Sequence, residues 1–396
     1  MSTNGKIYIL AMISFLVGTS QYVISGILDK IANQLGISIE AAGQLITVYS
    51  LIYAIGTPIL MALFAKMERR KLLLFSLSVF IVGNLMAVIA PGYSLFMVAR
   101  IVMALSAGVT VVTVLSLAAK IAQPNKKASS IATVVMGFTA SLIIGVPIGR
   151  FVASAYDWKL VFLGVAIFVL LALVVIIKTI PKTHGDQPIP LLQQIGMFKQ
   201  PKIALALSIT FFLMSGYGIV FTYLSPYLVQ TTGMSDHVLS FALLILGIAS
   251  LIGSKFGGFS ADKWGITLTL KRGLVLNILS IILLTFITSS INTVIIILTL
   301  WSFAGWSSGA TQQFNLATIS PKSSDVLLGL NQSMMQLGFA FGAAIGGFAV
   351  SQISISSITW MGSIPVIISL IITFVLSQYL MTEKKARQSV GTQIRA

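Results

Sequence analysis

Residues 7–28 read IYILAMISFLVGTSQYVISGIL, an apolar run that starts after Lys6 and ends only at Asp29. A bilayer core about 30 Å thick takes roughly 20 helical residues to cross, which this run supplies. Backbone amides in lipid must be satisfied within the segment, so the run is expected to be a helix. It is too long for the core of a signal peptide, and no small-residue cleavage site ends it, so it is expected to be retained. Near its middle sits Gln21, whose amide has no water to bind at that depth.

The rest of the chain repeats the pattern. Of 396 residues, 57% are hydrophobic and only 9% charged, with mean hydropathy +0.99. A soluble domain carries about 25% charged residues. Apolar runs recur at about 6–28, 42–64, 72–91, 95–118, 130–154, 160–178, 203–229, 237–256, 273–291, 293–317, 326–351 and 357–381. The expected fold is an all-α membrane protein of twelve transmembrane helices in two six-helix bundles. There is no cysteine, and the two histidines stand apart, at His184 and His237. Disulfides and thiolate metal sites are thereby excluded. No metal cluster, phosphate loop or catalytic dyad is visible, and neither a cofactor nor an enzymatic activity is expected.

The charge of +16 needs an explanation. With both termini inside, Lys30 and Lys159 fall outside, Arg100 and Arg150 fall within or at the edge of spans, and the other 21 of the 25 basic residues are cytoplasmic. That is the positive-inside signature, so the basic excess reports orientation rather than a nucleic-acid partner. The chain is expected to be multi-pass in a bacterial plasma membrane, with the lipid bilayer as its surroundings.

The longest internal break, IPKTHGDQPIPLLQQIGMFKQPK, covers 180–202 and divides the spans six and six. The division is an N-terminal bundle at 1–179, a cytoplasmic linker at 180–202, and a C-terminal bundle with a short tail at 203–396. The LLQQIGMF portion reads either as a short surface helix or as plain linker.

Two short signatures recur at one offset. Gly145-Val146-Pro147-Ile148-Gly149 matches Gly342-Ala343-Ala344-Ile345-Gly346, and Met61–Lys66 matches Gly258–Lys263, each 197 residues on. The shared offset points to duplication. Two six-helix halves with a solute site between them near mid-membrane form a transporter plan.

GGFSADKWG (257–265), followed by Lys271 and Arg272, resembles the cytoplasmic loop motif of the major facilitator superfamily. IIGVPIGR (143–150) is similar to the helix-5 motif of its drug:proton antiporter-1 branch, and Arg100 stands where that branch has its helix-4 arginine. AGQLITVYSLIYAIGTPIL, FTYLSPYL and GATQQFN are similar to the purine base/nucleoside efflux and sugar efflux transporters of that branch. The resemblance implies a small-molecule substrate, protons as a coupling ion, and a gating role at the cytoplasmic mouth for Asp262, Lys263, Arg69 and Arg70. There are departures. The first-half loop has Met61, Ala65 and Glu68 where the family has glycine, aspartate and glycine. Helix 4 has Ala104 and Ser106 in place of glycines. Gln21 stands where the sugar- and purine-efflux group usually has a glutamate.

The residues themselves suggest a cavity. Ser14, Gly18, Gln21 and Ser25 share one face of the first helix. Polar groups are costly against lipid, so such faces turn to a cavity or to each other. Ser106, Thr110 and Thr113 form a stripe in the fourth span, and Ser308, Thr311 and Asn315 one in the tenth. Hydroxyls at these positions either bond backbone carbonyls or line the cavity. Amides are harder to hide, so Gln21, Gln312, Asn331 and Gln336 are candidate substrate ligands together with Thr110. Tyr22, Tyr217, Tyr223 and Trp306 can stack on a planar ring or pack as interface aromatics. Gly145, Pro147, Gly149, Gly342 and Gly346 are read as hinge and helix-packing residues, because small residues four apart let backbones approach. Arg100 either snorkels to the outer interface or serves coupling.

All nine acidic residues are expected in loops or at helix ends. A glutamine cannot titrate, so the proton carrier is missing where the resemblance places it. Three readings stay open: a carrier at the outer mouth with Asp29 as candidate, a facilitator without coupling, or loss of coupling through Gln21. The expected function is export of small polar metabolites, purine bases or nucleosides first, by alternating access. The alternatives are a multidrug or sugar exporter and, from another class, a non-transporting membrane receptor.

Overall fold

The computed structural model describes residues 2–123, 127–183, 196–287, 290–320 and 324–393. Twelve helices are long and apolar enough to cross a membrane. They are α1 (Thr3–Gly26), α2 (Ile39–Leu63), α3 (Arg69–Ile89), α4 (Tyr93–Ile121), α5 (Ser129–Ala155), α6 (Lys159–Thr179), α7 (Pro201–Thr232), α8 (Asp236–Trp264), α9 (Ile266–Phe286), α10 (Ile291–Ile319), α11 (Val326–Gln352) and α12 (Ser357–Thr382). Among the described residues there is no strand.

Local chemistry sets the ends. Ser38 caps α2 by accepting from the Ala41 amide at 3.3 Å, and Ser235 caps α8 by accepting from Val238 at 3.5 Å. A short helix the sequence reading did not anticipate, Leu28–Leu35, continues from α1 and stops at Gly36 in the left-handed region. Pairing this helix with Ser38 lets the chain reverse within a few residues.

Two boundaries differ from expectation. The motif GGFSADKWG is not a loop: residues through Trp264 are the last turns of α8, and Gly265, at φ 88°, is the sole connector to α9. Only glycine holds that backbone without strain. Lys255, which the expected span 237–256 already contains although it is counted with the cytoplasmic basic residues, stands inside α8. Of the linker stretch LLQQIGMF, Leu191–Ile195 lie outside the described residues; Met197–Lys199 form one 3-10 turn.

Packing repeats with a step of six. α1 packs on α5 as α7 packs on α11, α2 on α4 as α8 on α10, α3 on α4 as α9 on α10, and α3 on α6 as α9 on α12. The two bundles meet through α2 with α11, α5 with α8, and α1 with α7. α1, α4 and α7 are the most buried helices, whereas α6 and α12 are the least. Ile167, Phe168 and Leu171 on α6 are exposed, as befits a surface that faces lipid.

The glycine motifs explain the repeated contact. A Cβ on Gly149 would lie 2.1 Å from Val23, and one on Gly145 2.2 Å from the Thr19 hydroxyl. In the second half, a Cβ on Gly342 would lie 2.1 Å from the Ser215 carbonyl oxygen, and one on Gly346 2.7 Å from the Tyr223 ring. Pro147 lacks an amide donor, so the helix before it cannot close its usual bond. There α5 widens into a π turn at Ser141–Gly145.

Candidate functional site

The bonds joining the bundles cluster between the middle of the seam and the end that the charge bias assigns to the outside, called outer below. The deepest is the Gln21 amide of α1 donating to Gln336 Oε1 of α11 at 3.3 Å. Both side chains are buried, at 4% exposure. Gln21 Oε1 has no protein partner. A buried amide oxygen left unpaired costs about 1–3 kcal/mol, so it marks a place where another donor belongs.

Aromatic rings surround this pair. Tyr22 meets Phe138 edge-on at 5.6 Å, and Phe221 and Phe339 at 6.4 Å each. Tyr217 stacks on Phe221 at 5.1 Å and on Trp301 at 5.0 Å, and meets Trp306 edge-on at 6.1 Å. Rings from both bundles therefore converge on one region of the seam, called the chamber below. The void left there is narrow and is lined by Leu142, Val146, Tyr217, Phe221, Ser250 and Trp306.

Arg100 does not snorkel. It is wholly buried in α4 and donates to the carbonyls of Ser20 at 2.9 Å, Gln21 at 3.4 Å and Leu45 at 3.4 Å. Its guanidinium also lies 4.0 Å over the Tyr49 ring. Carbonyl dipoles and a π face solvate the charge without neutralising it. The arginine fixes the backbone that presents Gln21, a role no spacing in the sequence reveals.

Other candidates fall elsewhere. Thr110 donates to Ser76 of α3 at 2.9 Å, which turns it into the N-terminal bundle and away from the seam. Gln312 donates to the Ala206 carbonyl and accepts from Asn315 at 3.1 Å. Asn331 accepts from Thr210 at 2.6 Å. Both amides are used in tying α7 to α10 and α11 within one bundle. Tyr223 donates to the Ala343 carbonyl at 2.9 Å, and its hydroxyl sits so close to Gly43 that a Cβ there would be 2.0 Å away. It packs the outer seam rather than the chamber.

At the outer end stands a cluster the sequence reading missed. Arg150 of α5, fully buried, pairs with Asp29 and with Asp236 of α8, and donates to the Gly26 carbonyl at 3.2 Å. Lys30 pairs with the other Asp236 oxygen at 2.7 Å. Beneath it Ser225 donates to the Ser25 carbonyl at 2.8 Å, again across the bundles. The signal available in the sequence was Arg150 closing the GVPIG motif; its two partners are far away along the chain.

The opposite, basic end is built differently. Asp262 and Lys263 are exposed, and Asp262 makes no ion pair among the described residues. It lines an open groove of about 640 Å³ with Trp264, Lys271, Phe314 and Thr318. The Arg69 amide donates to the Thr183 carbonyl at 3.1 Å, and Arg70 donates to the Ile177 carbonyl. These two arginines fasten the start of α3 to the end of α6. Asp29, Glu40, Glu68, Asp157, Asp236 and Asp262 all stand at helix ends, while Asp186 lies outside the described residues.

The sequence profile of the Major Facilitator Superfamily matches residues 10–324 and 206–395, which together take in nearly the whole chain. The chain belongs to the major facilitator superfamily. Within it, a relative described as an uncharacterized MFS-type transporter, YbcL of Bacillus subtilis, is 58% identical over 95% of this chain and 96% of its own length. The inner membrane transport protein YdhP of Escherichia coli is 28% identical over 94% and 96%. A bacterial homologue of the human lysosomal transporter Spinster, solved inward-facing and unoccupied, shares the fold with TM-score 0.77 at 17% identity, covering 96% of this chain and 98% of that one. This major facilitator is a multi-pass membrane transporter, and its relatives leave the substrate open.

Proposed function

We propose that this transporter exports small, planar, polar metabolites by alternating access, with purine bases or nucleosides as the first candidates. It would act in the bacterial plasma membrane with both termini in the cytoplasm, and with bundles at 1–179 and 203–396 rocking about the linker. The observation that carries the reading is the Gln21–Gln336 amide pair, with one orphaned acceptor, set among Tyr22, Tyr217, Phe221 and Phe339. Amides read the ring edge of a heterocycle, and aromatic walls hold its faces. The outer end is held shut by Arg150, Asp236 and Lys30, so the state described is outer-closed. Asp262 acts in the opposite state, gathering charge at the cytoplasmic mouth when it closes.

A multidrug exporter of organic cations would want a carboxylate within the seam, and the described acids stand at helix ends. For the same reason proton coupling is expected to be weak or absent. Titrating hypoxanthine, adenosine, glucose and a quaternary ammonium dye into the protein in nanodiscs tests the reading. Saturable binding of the purines, weakened at least tenfold by Gln21→Ala, is expected. Binding of the dye alone, or purine binding indifferent to Gln21, would overturn it.

A further inference from the structure

We infer that the chamber selects by charge, taking planar aromatic solutes that are anionic and carry an O–H or N–H donor, and rejecting cations of the same shape. The inference rests on reading the Gln21–Gln336 seam as the solute site. Three features carry it. Arg100 is a buried guanidinium whose partners are carbonyl oxygens, a sulfur and the Tyr49 ring, so its charge stays uncompensated. It is bonded to the carbonyl of Gln21, one residue's length from the amide that faces the seam. No described carboxylate stands between the helix ends to offset it.

A buried charge in a poorly solvated site is strongly felt by any ion that enters. An anion supplies the neutralisation that the fold leaves out, whereas a cation adds to the deficit. Gln21 Oε1 then specifies the other end of the solute, since an orphaned acceptor accepts a donated hydrogen bond. The rings of Tyr22, Phe221 and Phe339 offer aromatic faces and edges nearby, which favour an aromatic solute. Ionised hydroxy- or amino-substituted aromatic acids, and heterocycles with an acidic ring N–H, meet all three conditions.

The test uses three probes of one shape: 3-hydroxybenzoate, 3-hydroxybenzamide and 3-hydroxybenzamidine, titrated into the full-length protein in nanodiscs and followed by tryptophan fluorescence. The benzoate is expected to bind at least tenfold tighter than the amide, and the amidine weakest. Arg100→Gln should level the three affinities, and Arg100→Lys should keep their order. If Arg100→Gln does not fold, the wild-type ranking and the lysine variant decide. Equal affinities, or tightest binding of the amidine, would overturn the charge inference while leaving the solute site standing, provided Gln21→Ala weakens all three. Binding of none of the probes would overturn the charge inference, while the purine titration alone decides the solute site.

Discussion

Arg150, buried in the N-terminal bundle, pairs with Asp236, the first residue of α8 in the C-terminal bundle. With Asp29 and Lys30 the group holds two cations and two anions, so closure at the outer end brings charges together in balance. Opening that end must pull Asp236 away from both cations.

Asp236→Asn should therefore loosen the outer seam. The Asp236 side chain is about a third exposed, so its pairs are worth less than a fully buried set, on the order of 1–2 kcal/mol. That corresponds to roughly a tenfold rise in the outer-open population. The chain has no cysteine, so spin labels can be placed at Asn33→Cys and His237→Cys alone. Double electron–electron resonance should show a longer distance growing in for Asp236→Asn; an unchanged distribution would contradict the latch.

The helix-packing glycines give a second prediction. Gly342→Ala puts a methyl group 2.1 Å from the Ser215 carbonyl oxygen, a backbone atom that cannot turn aside. Overpacking of this kind costs about 1–3 kcal/mol. Gly164→Ala on α6 meets nothing within 4 Å. It should be neutral or stabilising by up to about 1 kcal/mol through helix propensity. Thermal unfolding in one detergent should separate the two variants, with Gly342→Ala lower.

Asp262 is exposed and outside every cross-bundle contact described above, and on the proposed gating role it acts in another state. Asp262→Asn should leave solute affinity within about twofold of wild type, because binding is measured in the outer-closed form. Transport should fall several-fold, and the Asn33–His237 distances should stay short. Full transport with Asp262→Asn would remove it from the gate.

Gln21 gives a prediction about coupling. A neutral amide binds and releases no proton between pH 5 and 8, so solute-driven acidification of proteoliposomes should be near background in the wild type. Gln21→Glu installs a titratable carboxyl group in the seam. Solute-dependent proton movement should then appear, measured with a trapped pH dye. Strong proton flux in the wild type would show that another group carries the proton.

Much of the architecture was legible from elementary patterns. Span number and type follow from the length of apolar runs, and the duplication from the 197-residue offset of GVPIG and GAAIG. The site was legible only in part. Gln21 and Gln336 announce themselves as amides in apolar runs, and the structure pairs them. Gln312 and Asn331 look identical in the sequence, yet each is absorbed by a neighbour inside its own bundle. Depth tells that a polar group is buried, but the rotational setting of a helix against its neighbour decides what it meets. Thr110 illustrates the same limit, since one helical face separates the seam from Ser76. The Arg150 cluster was hidden because its members sit at three helix ends, where charges ordinarily face water. The α8 boundary was misplaced because Asp262 and Lys263 look like a loop, although a helix end emerging from the bilayer accommodates both.

The most direct test of the central claim is counterflow of radiolabelled hypoxanthine into proteoliposomes preloaded with the unlabelled base. Wild-type protein should show an overshoot, Gln21→Ala and Gln336→Ala should each reduce it at least tenfold, and Thr110→Ala should retain it. An overshoot of equal height in Gln21→Ala and Gln336→Ala would place the solute somewhere other than the amide seam.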